Sequence, residues 1–318
     1  MRGWKSVMKI NTLGVVLSYY RKKENLTLDN ICDGLCSPVM LERIERGERI
    51  ADSLLGELLL ERIGKEACQF ELLLNEEDYA LWHMRKEMRT SLGAQDYERL
   101  RGQMAEYRVM PKSSPDLHEQ FCLYCETMAA IADGESREKI CGMAWQALHM
   151  TKIGIGRENH ILYTQTEIKL ILLLIENGYM GSAEEIEDEL LKLLRYVETF
   201  CTERKKEEIG VIISLKLSEM AQSCGEEKKA LEYIDKGISF ISRGRGIKGL
   251  EKLHFLKAQT LAWQYDGSPE GEEKKQAIQR ECLMAYCICE VMGFTEKMKE
   301  IERFCEEKLA WQITTLEM

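Results

Sequence analysis

From about residue 76 onward the sequence is an almost continuous succession of amphipathic helical patterns, which restricts the chain to helical folds. Apolar residues recur there with the three- and four-residue spacing of one helix face. We predict helices at roughly 77–91, 94–109, 116–132, 136–150, 158–177, 182–197, 203–223, 226–242, 249–265, 271–292 and 295–312. The breaks between them are short and mostly contain glycine, and the chain has 4 prolines and no strand-like alternation. An all-α fold of antiparallel hairpins follows.

These hairpins have a repetitive layout. The segment CGEEKKALEYIDKGISF carries Ala230, Tyr233 and Gly237 at a spacing that resembles the second helix of a tetratricopeptide repeat. ADGESREKICGMAWQAL and NGYMGSAEEIEDELLKLL have a similar layout. The units recur about every 45 residues, longer than a standard repeat, so the repeats are degenerate and armadillo- or HEAT-like pairs are an alternative. Both alternatives predict an α-solenoid with a concave surface.

The first 66 residues differ, because their helical patterns are short. The first predicted helix, near residues 12–25, places Leu13, Val16, Leu17 and Tyr20 on one face. Thr27 is positioned to cap a second helix that stops before Gly34. Ser53 is predicted to cap a fourth helix that Gly64 closes.

The third helix lies in LCSPVMLERIERGER, residues 35–49. Ser37 is its predicted N-cap, Pro38 its first helical residue, and Gly47 its end. Leu41 and Ile44 have the spacing of a buried face. The other residues are mixed in character, as on a helix that either stays at the surface or enters a DNA groove.

The charge is unevenly distributed along the chain. The formal net charge is −10, which argues against a general affinity for nucleic acid. Residues 1–49 nevertheless hold nine Lys/Arg against six Asp/Glu, whereas residues 67–318 hold 33 against 44. This asymmetry is expected when only the N-terminal segment meets phosphate.

The segment from about Leu13 to Gly64 resembles the helix-turn-helix of the Xre/Cro repressor-like family. The resemblance is carried by Leu26-Thr27 and by DGLCSPVMLERIERG, which ends in the R-I-E-x-G pattern of that family. It implies that Arg21 pairs with Glu45 and ties the first helix to the recognition helix. It also implies contacts to double-stranded operator DNA from Lys22, Lys23, Ser37, Pro38, Val39, Glu42, Arg43, Arg46 and Arg49.

Within this set, Arg43 is suited to bond guanine or a phosphate, and Lys22, Lys23, Arg46 and Arg49 are phosphate candidates. The sequence departs from the family pattern at Leu28, where Gln is usual, and at Pro38, Val39 and Met40, where polar base-contacting residues are usual. A helix-turn-helix that only packs or dimerises is the alternative.

The junction SLLGELLLERIGKEACQFELLLNEEDYALWHMRKEM resembles the linker of the Rgg/PlcR group, with L-L-x-R-x-G followed by Phe70, Tyr79 and Arg85. The resemblance implies a helix-turn-helix domain at 1–66, a linker helix region at 67–76 and a tetratricopeptide-like repeat domain at 77–318. It further implies a homodimeric transcription regulator of low-GC Gram-positive bacteria. Such regulators bind a short signalling peptide on the concave surface of the repeats.

In such a repeat array the first helix of each hairpin lines the concave surface. Polar side chains with enough reach on those helices are the predicted peptide contacts: Tyr124, Asn159, Tyr163, Lys216 and Lys257. Asparagine suits this role best, because one amide can both donate to and accept from a peptide backbone. Solvent exposure or a contact between repeats is the alternative for each of them. For the dimer, the apolar residues of 282–292 offer a surface, or else they cap the last repeat.

Other chemistry finds little support in the sequence. CLYC, residues 122–125, lacks the second ligand pair of a metal site and lies inside a helix, so packing is favoured. GRGIKG, residues 244–249, follows a helix rather than the strand that a dinucleotide site needs. The 12 cysteines fit reduced, mostly buried thiols. No cofactor is expected.

The sequence therefore predicts a cytoplasmic DNA-binding regulator that senses a signalling peptide. We expect no membrane association, because the most apolar run is far shorter than a bilayer span and no signal peptide is recognisable. The main alternative is a repeat scaffold that binds proteins and no longer binds DNA. An enzyme is the least favoured class, because no catalytic constellation is recognisable.

Overall fold

The computed structural model describes residues 12–67, 76–151, 162–178, 181–242, 247, 249–263, 265 and 271–313. Throughout these ranges the regular structure is helical and contains no strand, which confirms the predicted all-α class. The helices are α1 (Thr12–Lys23), α2 (Leu28–Cys32), α3 (Pro38–Glu45), α4 (Ser53–Arg62), α5 (Glu76–Gly93), α6 (Tyr97–Val109), α7 (Pro115–Ala132), α8 (Arg137–His149), α9 (Gln165–Glu176), α10 (Ala183–Phe200), α11 (Glu203–Lys205), α12 (Val211–Ser223), α13 (Glu227–Ser242), α14 (Leu250–Ala262), α15 (Glu272–Met292) and α16 (Thr295–Leu309).

Two compact units divide the chain, residues 1–186 and residues 187–318. In the first unit, α1–α4 form the predicted N-terminal head, and α4 packs on α5 and α7. From α5 to α9, each helix of this unit packs on the next helix in the chain. The predicted boundaries of the head and the linker, at 66 and 76, therefore both fall within the first compact unit. The division into a DNA-binding domain and a repeat domain stays a prediction.

The ends of the short head helices follow from their capping residues. The Thr27 hydroxyl accepts from the Asn30 N–H at 3.1 Å, while the Asn30 side chain accepts from the Thr27 N–H at 2.9 Å. This reciprocal cap fixes the start of α2. The prediction that Ser53 caps α4 was wrong by one residue, because Asp52 accepts from the Leu55 N–H at 2.9 Å and Ser53 is already helical.

In the second unit, consecutive helices also pack on one another from α12 to α16. The long helix predicted at 203–223 contains a π-helical turn, Lys206–Gly210, between α11 and α12. An ideal Cβ on Gly210 would lie 2.7 Å from the ring of Phe240 in α13. The close approach of α13 to the π-helical turn therefore depends on this glycine.

The last three helices share a core of small and thiol-containing side chains. Its buried members are Ala258, Ile278, Cys282, Ala285, Tyr286, Cys289, Ile301, Cys305 and Leu309. Cys282 and Tyr286 were predicted to offer a dimer surface, but they are packed into this core. On the same helix Met284, Val291 and Met292 are 46%, 78% and 40% exposed, so only the exposed part of the predicted surface is available to a partner.

Candidate functional site

Helix α3 is built as the sequence predicts. The Ser37 hydroxyl accepts from the Met40 N–H at 3.2 Å, and Pro38 occupies the first helical position, where its missing N–H costs no hydrogen bond. Leu41 and Ile44 are buried against the other head helices. These contacts fix which face of α3 is turned away from the core.

The outward face of α3 combines apolar and basic side chains. Val39 is 58% exposed, and Arg43 and Arg46 are exposed. Arg46 donates to Glu42, one helical turn earlier, at 2.5 Å. Since both members of this pair are exposed, the pair contributes little stability and Arg46 can exchange Glu42 for a phosphate at low cost.

A two-armed ion pair holds α3 against α1. Arg21 donates from Nε to Glu45 Oε1 and from Nη2 to Glu45 Oε2, each at 2.7 Å. The hydrogen bond with Glu45 raises the pKa of Arg21, although partial burial opposes it. Arg21 Nη1 also donates to the Leu26 carbonyl at 3.5 Å. Because a bidentate pair fixes both distance and angle, α1 and the turn before α2 orient α3.

Further cations lie at the surface of the head. Lys22, Lys23 and Arg49 are exposed, as phosphate contacts have to be. Lys65 places its Nζ 4.2 Å from the centre of the Tyr20 ring. Two further predicted DNA contacts, Ser37 and Pro38, lie at the start of α3. The Ser37 hydroxyl already accepts the capping hydrogen bond from the Met40 N–H.

Buried charges attach α4 of the head to the repeat helices. Arg85 of α5 is fully buried and donates to Ser53 and Glu57, both at 3.0 Å. Arg89 donates to the second oxygen of Glu57 at 3.0 Å. Glu57 is therefore held by two arginines of α5, and moving α4 would break both bonds.

A second attachment joins α4 to α9. Arg62 donates to Glu167 at 2.7 Å, and the side chains of both residues are almost completely buried. Thr151 donates to the same oxygen of Glu167 at 2.8 Å, while the other oxygen accepts from the Thr164 N–H at 2.7 Å. Gln120 donates to the Thr151 hydroxyl at 2.6 Å, so this network reaches α7 as well.

The third attachment begins at the N-cap of α4. Asp52 accepts from Ser114 at 2.5 Å, and its Oδ1 lies 3.9 Å from Nε2 of the buried His118. Burial alone would raise the pKa of the Asp52 carboxyl, but His118, the Leu55 N–H and Ser114 together lower it to about 2. Tyr107 hydrogen-bonds to the other ring nitrogen of His118.

The turn between α2 and α3 also touches the repeats. Gly34, at the centre of this turn, has a φ of +70°, and an ideal Cβ placed on it would lie 1.6 Å from the Thr151 carbonyl oxygen. Thr151 follows α8 closely and belongs to the Glu167 network. The turn of the head therefore packs against the backbone of Thr151, whose hydroxyl belongs to the network that holds Arg62.

Of the predicted peptide contacts that the structure describes, Tyr124 and Tyr163 belong to the first unit, and Lys216 and Lys257 belong to the second. Tyr124 and Tyr163 are 8% and 1% exposed, so their rings are part of the core of the first unit. Asn159 lies outside the described residues. In the second unit, Lys216 lies 3.4 Å from Glu219. Lys257 lies 2.7 Å from Asp235 and 3.6 Å from Glu281.

A different set of residues in the second unit forms a groove along α14. Two adjoining pockets of about 220 and 750 Å³ share Gln259. We call this the α14 groove; it is lined by Leu215, Glu219, Gln222, Ser223, Gly225, Glu251, Lys252, Phe255, Leu256, Gln259, Ala262, Trp263, Tyr265, Cys289, Lys297, Glu300, Ile301, Phe304 and Lys308. Trp263, one of the lining residues, is 45% exposed. Phe255 packs edge-on against Phe304, with the ring centres 5.5 Å apart.

The sequence did contain a signal for this groove. Lys252, Phe255, Leu256, Gln259 and Trp263 follow one another at helical spacing, so they form a single stripe on α14. Lys257, a predicted contact because it is polar and has enough reach, lies off this stripe and is paired with Asp235 and Glu281.

The thiols of the CLYC segment are buried and are weaker acids than a free cysteine. Cys122 and Cys125 are buried in α7, and burial raises their pKa to about 11 and about 12.

No cluster of three or more His, Cys, Asp or Glu side chains suited to a metal ion occurs among the described residues. GRGIKG lies largely outside the described part of the chain. No helix in the described part of the chain combines the length and apolar character that crossing a bilayer requires.

Comparison with known proteins gives matches among solved structures. No family model and no curated protein matches the chain. The structure of Bacillus thuringiensis PlcR in complex with the peptide PapR7 and DNA matches with 16% identity and a TM-score of 0.47, over 91% of this chain and 99% of that one.

Two structures of the Streptococcus dysgalactiae SHP pheromone receptor Rgg2 also match, one of them carrying a cysteine-to-serine substitution. Each shows 12% identity, a TM-score of 0.44 and coverage of 93% of this chain, with 99% of the substituted Rgg2 chain and 100% of the other covered. PlcR and Rgg2 are members of the group that the sequence resembles. Since all three TM-scores are below 0.5, the function of this chain has to be inferred from its own residues.

Proposed function

We propose that this protein is a DNA-binding transcription regulator whose repeat region senses a short signalling peptide. The observation that carries the DNA-binding part is the construction of α3. Its apolar residues are buried, its cap is formed, and its outward face presents Val39, Arg43 and Arg46. A helix fixed in this way, with basic side chains outward, can enter the major groove.

The charge distribution supports the same role. The exposed cations Lys22, Lys23 and Arg49 belong to the mildly basic N-terminal segment, while the rest of the chain is acidic. Such a segment can neutralise phosphates without giving the whole protein a general affinity for nucleic acid. We also include a homodimer in the proposal, because operators recognised by helix-turn-helix heads contain two half-sites about one helical turn apart.

We expect Arg43→Ala to weaken binding to the operator by about 1–3 kcal/mol, because Arg43 is the exposed α3 side chain best able to bond a base edge. Lys22→Ala should instead weaken binding to all DNA sequences and reduce the salt dependence of the affinity. The operator is first isolated by sequencing genomic DNA that the protein retains. Fluorescence anisotropy at several salt concentrations then measures both effects.

Arg99→Ala is the matched control, since it removes an exposed arginine from α6, outside the head. It should leave DNA affinity unchanged. If an Arg43→Ala/Arg46→Ala double variant binds the operator as tightly as the unmodified protein, the assigned face of α3 is wrong. If the unmodified protein retains no genomic DNA, the repeat scaffold becomes the better interpretation.

Among the described residues of the second unit, the α14 groove is suited to hold a peptide. It offers aromatic surface from Phe255, Trp263 and Phe304, together with the amide of Gln259. An extended peptide needs groups that donate to and accept from its backbone in a partly dry groove, and an amide beside aromatic rings meets both needs. We therefore move the proposed peptide site from the predicted residues to this groove.

We expect Trp263→Ala and Gln259→Ala each to weaken peptide binding by roughly tenfold, which corresponds to the loss of about 1.4 kcal/mol. Trp263→Ala removes part of the aromatic surface, whereas Gln259→Ala removes the amide that bonds the peptide backbone. Lys257→Ala, on the same helix but off the stripe, should have little effect. Isothermal titration against the short peptides that the organism secretes measures all three. A peptide that binds equally well to the Trp263→Ala and unmodified proteins would place the site elsewhere.

A further inference from the structure

Two free thiols stand on either side of the turn between α2 and α3. Cys32 is the last residue of α2, and Cys36 immediately precedes the cap of α3. The chain between them folds back tightly, because the N–H groups of Leu35 and Cys36 both donate to the Cys32 carbonyl, at 2.8 and 3.0 Å. The two thiols are close enough to interact, since each of them shifts the pKa of the other.

The two thiols differ in access and in acidity. Cys32 is 2% exposed, and its interaction with Cys36, together with burial, raises its pKa. Cys36 is half-buried, and the interaction with Cys32 lowers its pKa, with a further lowering by the positive charge of Arg49 that burial opposes. Cys36 is therefore the more accessible nucleophile, and Cys32 lies next to it as a second thiol.

We propose that Cys32 and Cys36 are a reversible redox pair, which a hydroperoxide oxidises to an intramolecular disulfide. The Cys36 thiolate attacks the peroxide oxygen, the O–O bond breaks, and the alkoxide or hydroxide released takes up a proton. This gives a sulfenic acid at Cys36. Cys32 then attacks that sulfur as its thiolate, and its proton leaves with the displaced hydroxide as water. The two thiols supply both electrons that reduce the peroxide.

Neither the Cys282–Cys305 pair nor the exposed Cys224 has this combination of access and a partner. Cys282 and Cys305 also interact, and this interaction raises the pKa of Cys282, but both thiols are fully buried. Cys224 is exposed, yet no second cysteine adjoins it along the chain. A pair with one accessible, acidified member and one adjacent resolving member is typical of redox-sensing thiols. In a reducing compartment such a disulfide is transient, as a sensor requires.

The position of the pair gives oxidation a structural consequence. Gly34 lies between the two cysteines and is seated against the Thr151 carbonyl oxygen. A covalent S–S bond is much shorter than a non-covalent contact between two thiols, so oxidation draws the two flanks of this turn together. The turn that precedes α3 and its contact with Thr151 would both change shape. An effect on DNA affinity rests on the proposed function, whereas the thiol chemistry does not.

The test uses the reduced, full-length protein with one equivalent of hydrogen peroxide, followed by alkylation of the remaining thiols and tryptic mass spectrometry. A single tryptic peptide, residues 24–43, contains both cysteines. We expect this peptide to escape alkylation and to be lighter than its fully reduced form by two hydrogen atoms. Oxidation of Met40 would instead add an oxygen atom, so the two products are distinguishable. A reductant should restore both thiols.

Two variants separate the roles of the thiols. With Cys32→Ser, a sulfenic acid should accumulate at Cys36 and be trapped by dimedone; with Cys36→Ser, Cys32 should remain alkylatable. Cys36 should react roughly tenfold faster than Cys224, which is exposed but single. The proposal is overturned if Cys224 is oxidised while residues 24–43 stay fully alkylatable, or if Cys36 forms only disulfides between chains. Because no DNA is needed, this outcome is independent of whether the protein binds an operator.

Discussion

We expect Arg62→Ala to lower the free energy of unfolding by about 3–5 kcal/mol, because it removes one member of a buried ion pair and leaves the other without compensation. Glu167 would keep its hydrogen bonds from Thr151 and the Thr164 N–H but would lose the charge of Arg62 2.7 Å away. Urea unfolding followed by circular dichroism measures the change.

The exposed pair Arg99–Glu87 is the matched control for this substitution. Its N–O distance is also 2.7 Å, but its two side chains are 59% and 40% exposed. Water already solvates both charges there, so Arg99→Ala should cost less than about 1 kcal/mol. Equal small losses in the two variants would show that Glu167 does not depend on Arg62, and that α4 is held to α9 by apolar packing instead.

Glu167→Gln, alone and combined with Arg62→Ala, tests whether the two residues stabilise the protein as a unit. It keeps an acceptor for Thr151 and removes the negative charge, so Arg62 becomes the uncompensated ion. If the pair acts as a unit, combining Arg62→Ala with Glu167→Gln should cost less than the sum of the two single losses. Since Arg62 belongs to the head and Glu167 to the repeat helices, that difference measures how strongly the two are coupled.

The helices could be predicted from local sequence because their signals are local. The cap of α3 needs only Ser37 and Pro38, and its buried face needs only the spacing of Leu41 and Ile44. The error at Ser53 has the same local origin, since Asp52 and Ser53 are both good capping residues and one position decides between them.

The polar networks could not be predicted in the same way. Arg62 and Arg85 stand in the junction motif that the sequence displays, but their partners are set by the tertiary fold. Arg62 meets Glu167, which is 105 residues away, and neither residue carries a local sign of burial. The burial of Tyr124 and Tyr163 could not be predicted for a related reason, because a tyrosine in an amphipathic pattern can face either a groove or the core.

The second large effect is expected from Gly34→Ala. At a φ of +70° any side chain is strained by roughly 1–2 kcal/mol. The added Cβ would also lie 1.6 Å from the Thr151 carbonyl oxygen, a backbone atom that cannot rotate away. Relieving this overlap requires the turn or the end of α8 to move, which adds about 1–3 kcal/mol. The loss in unfolding free energy should therefore exceed the backbone strain alone.

Gly134→Ala isolates the backbone strain. Gly134 has a φ of +71° in the same unit, but no atom lies within 4 Å of its ideal Cβ. The difference between the two variants in urea unfolding is thus the cost of separating the α2–α3 turn from Thr151. Hydrogen exchange should show the additional loss of protection in the Gly34 variant at residues 28–45 and near the end of α8. Matching losses in the two variants would mean that the turn yields freely, and that the head is held to the repeats through α4 alone.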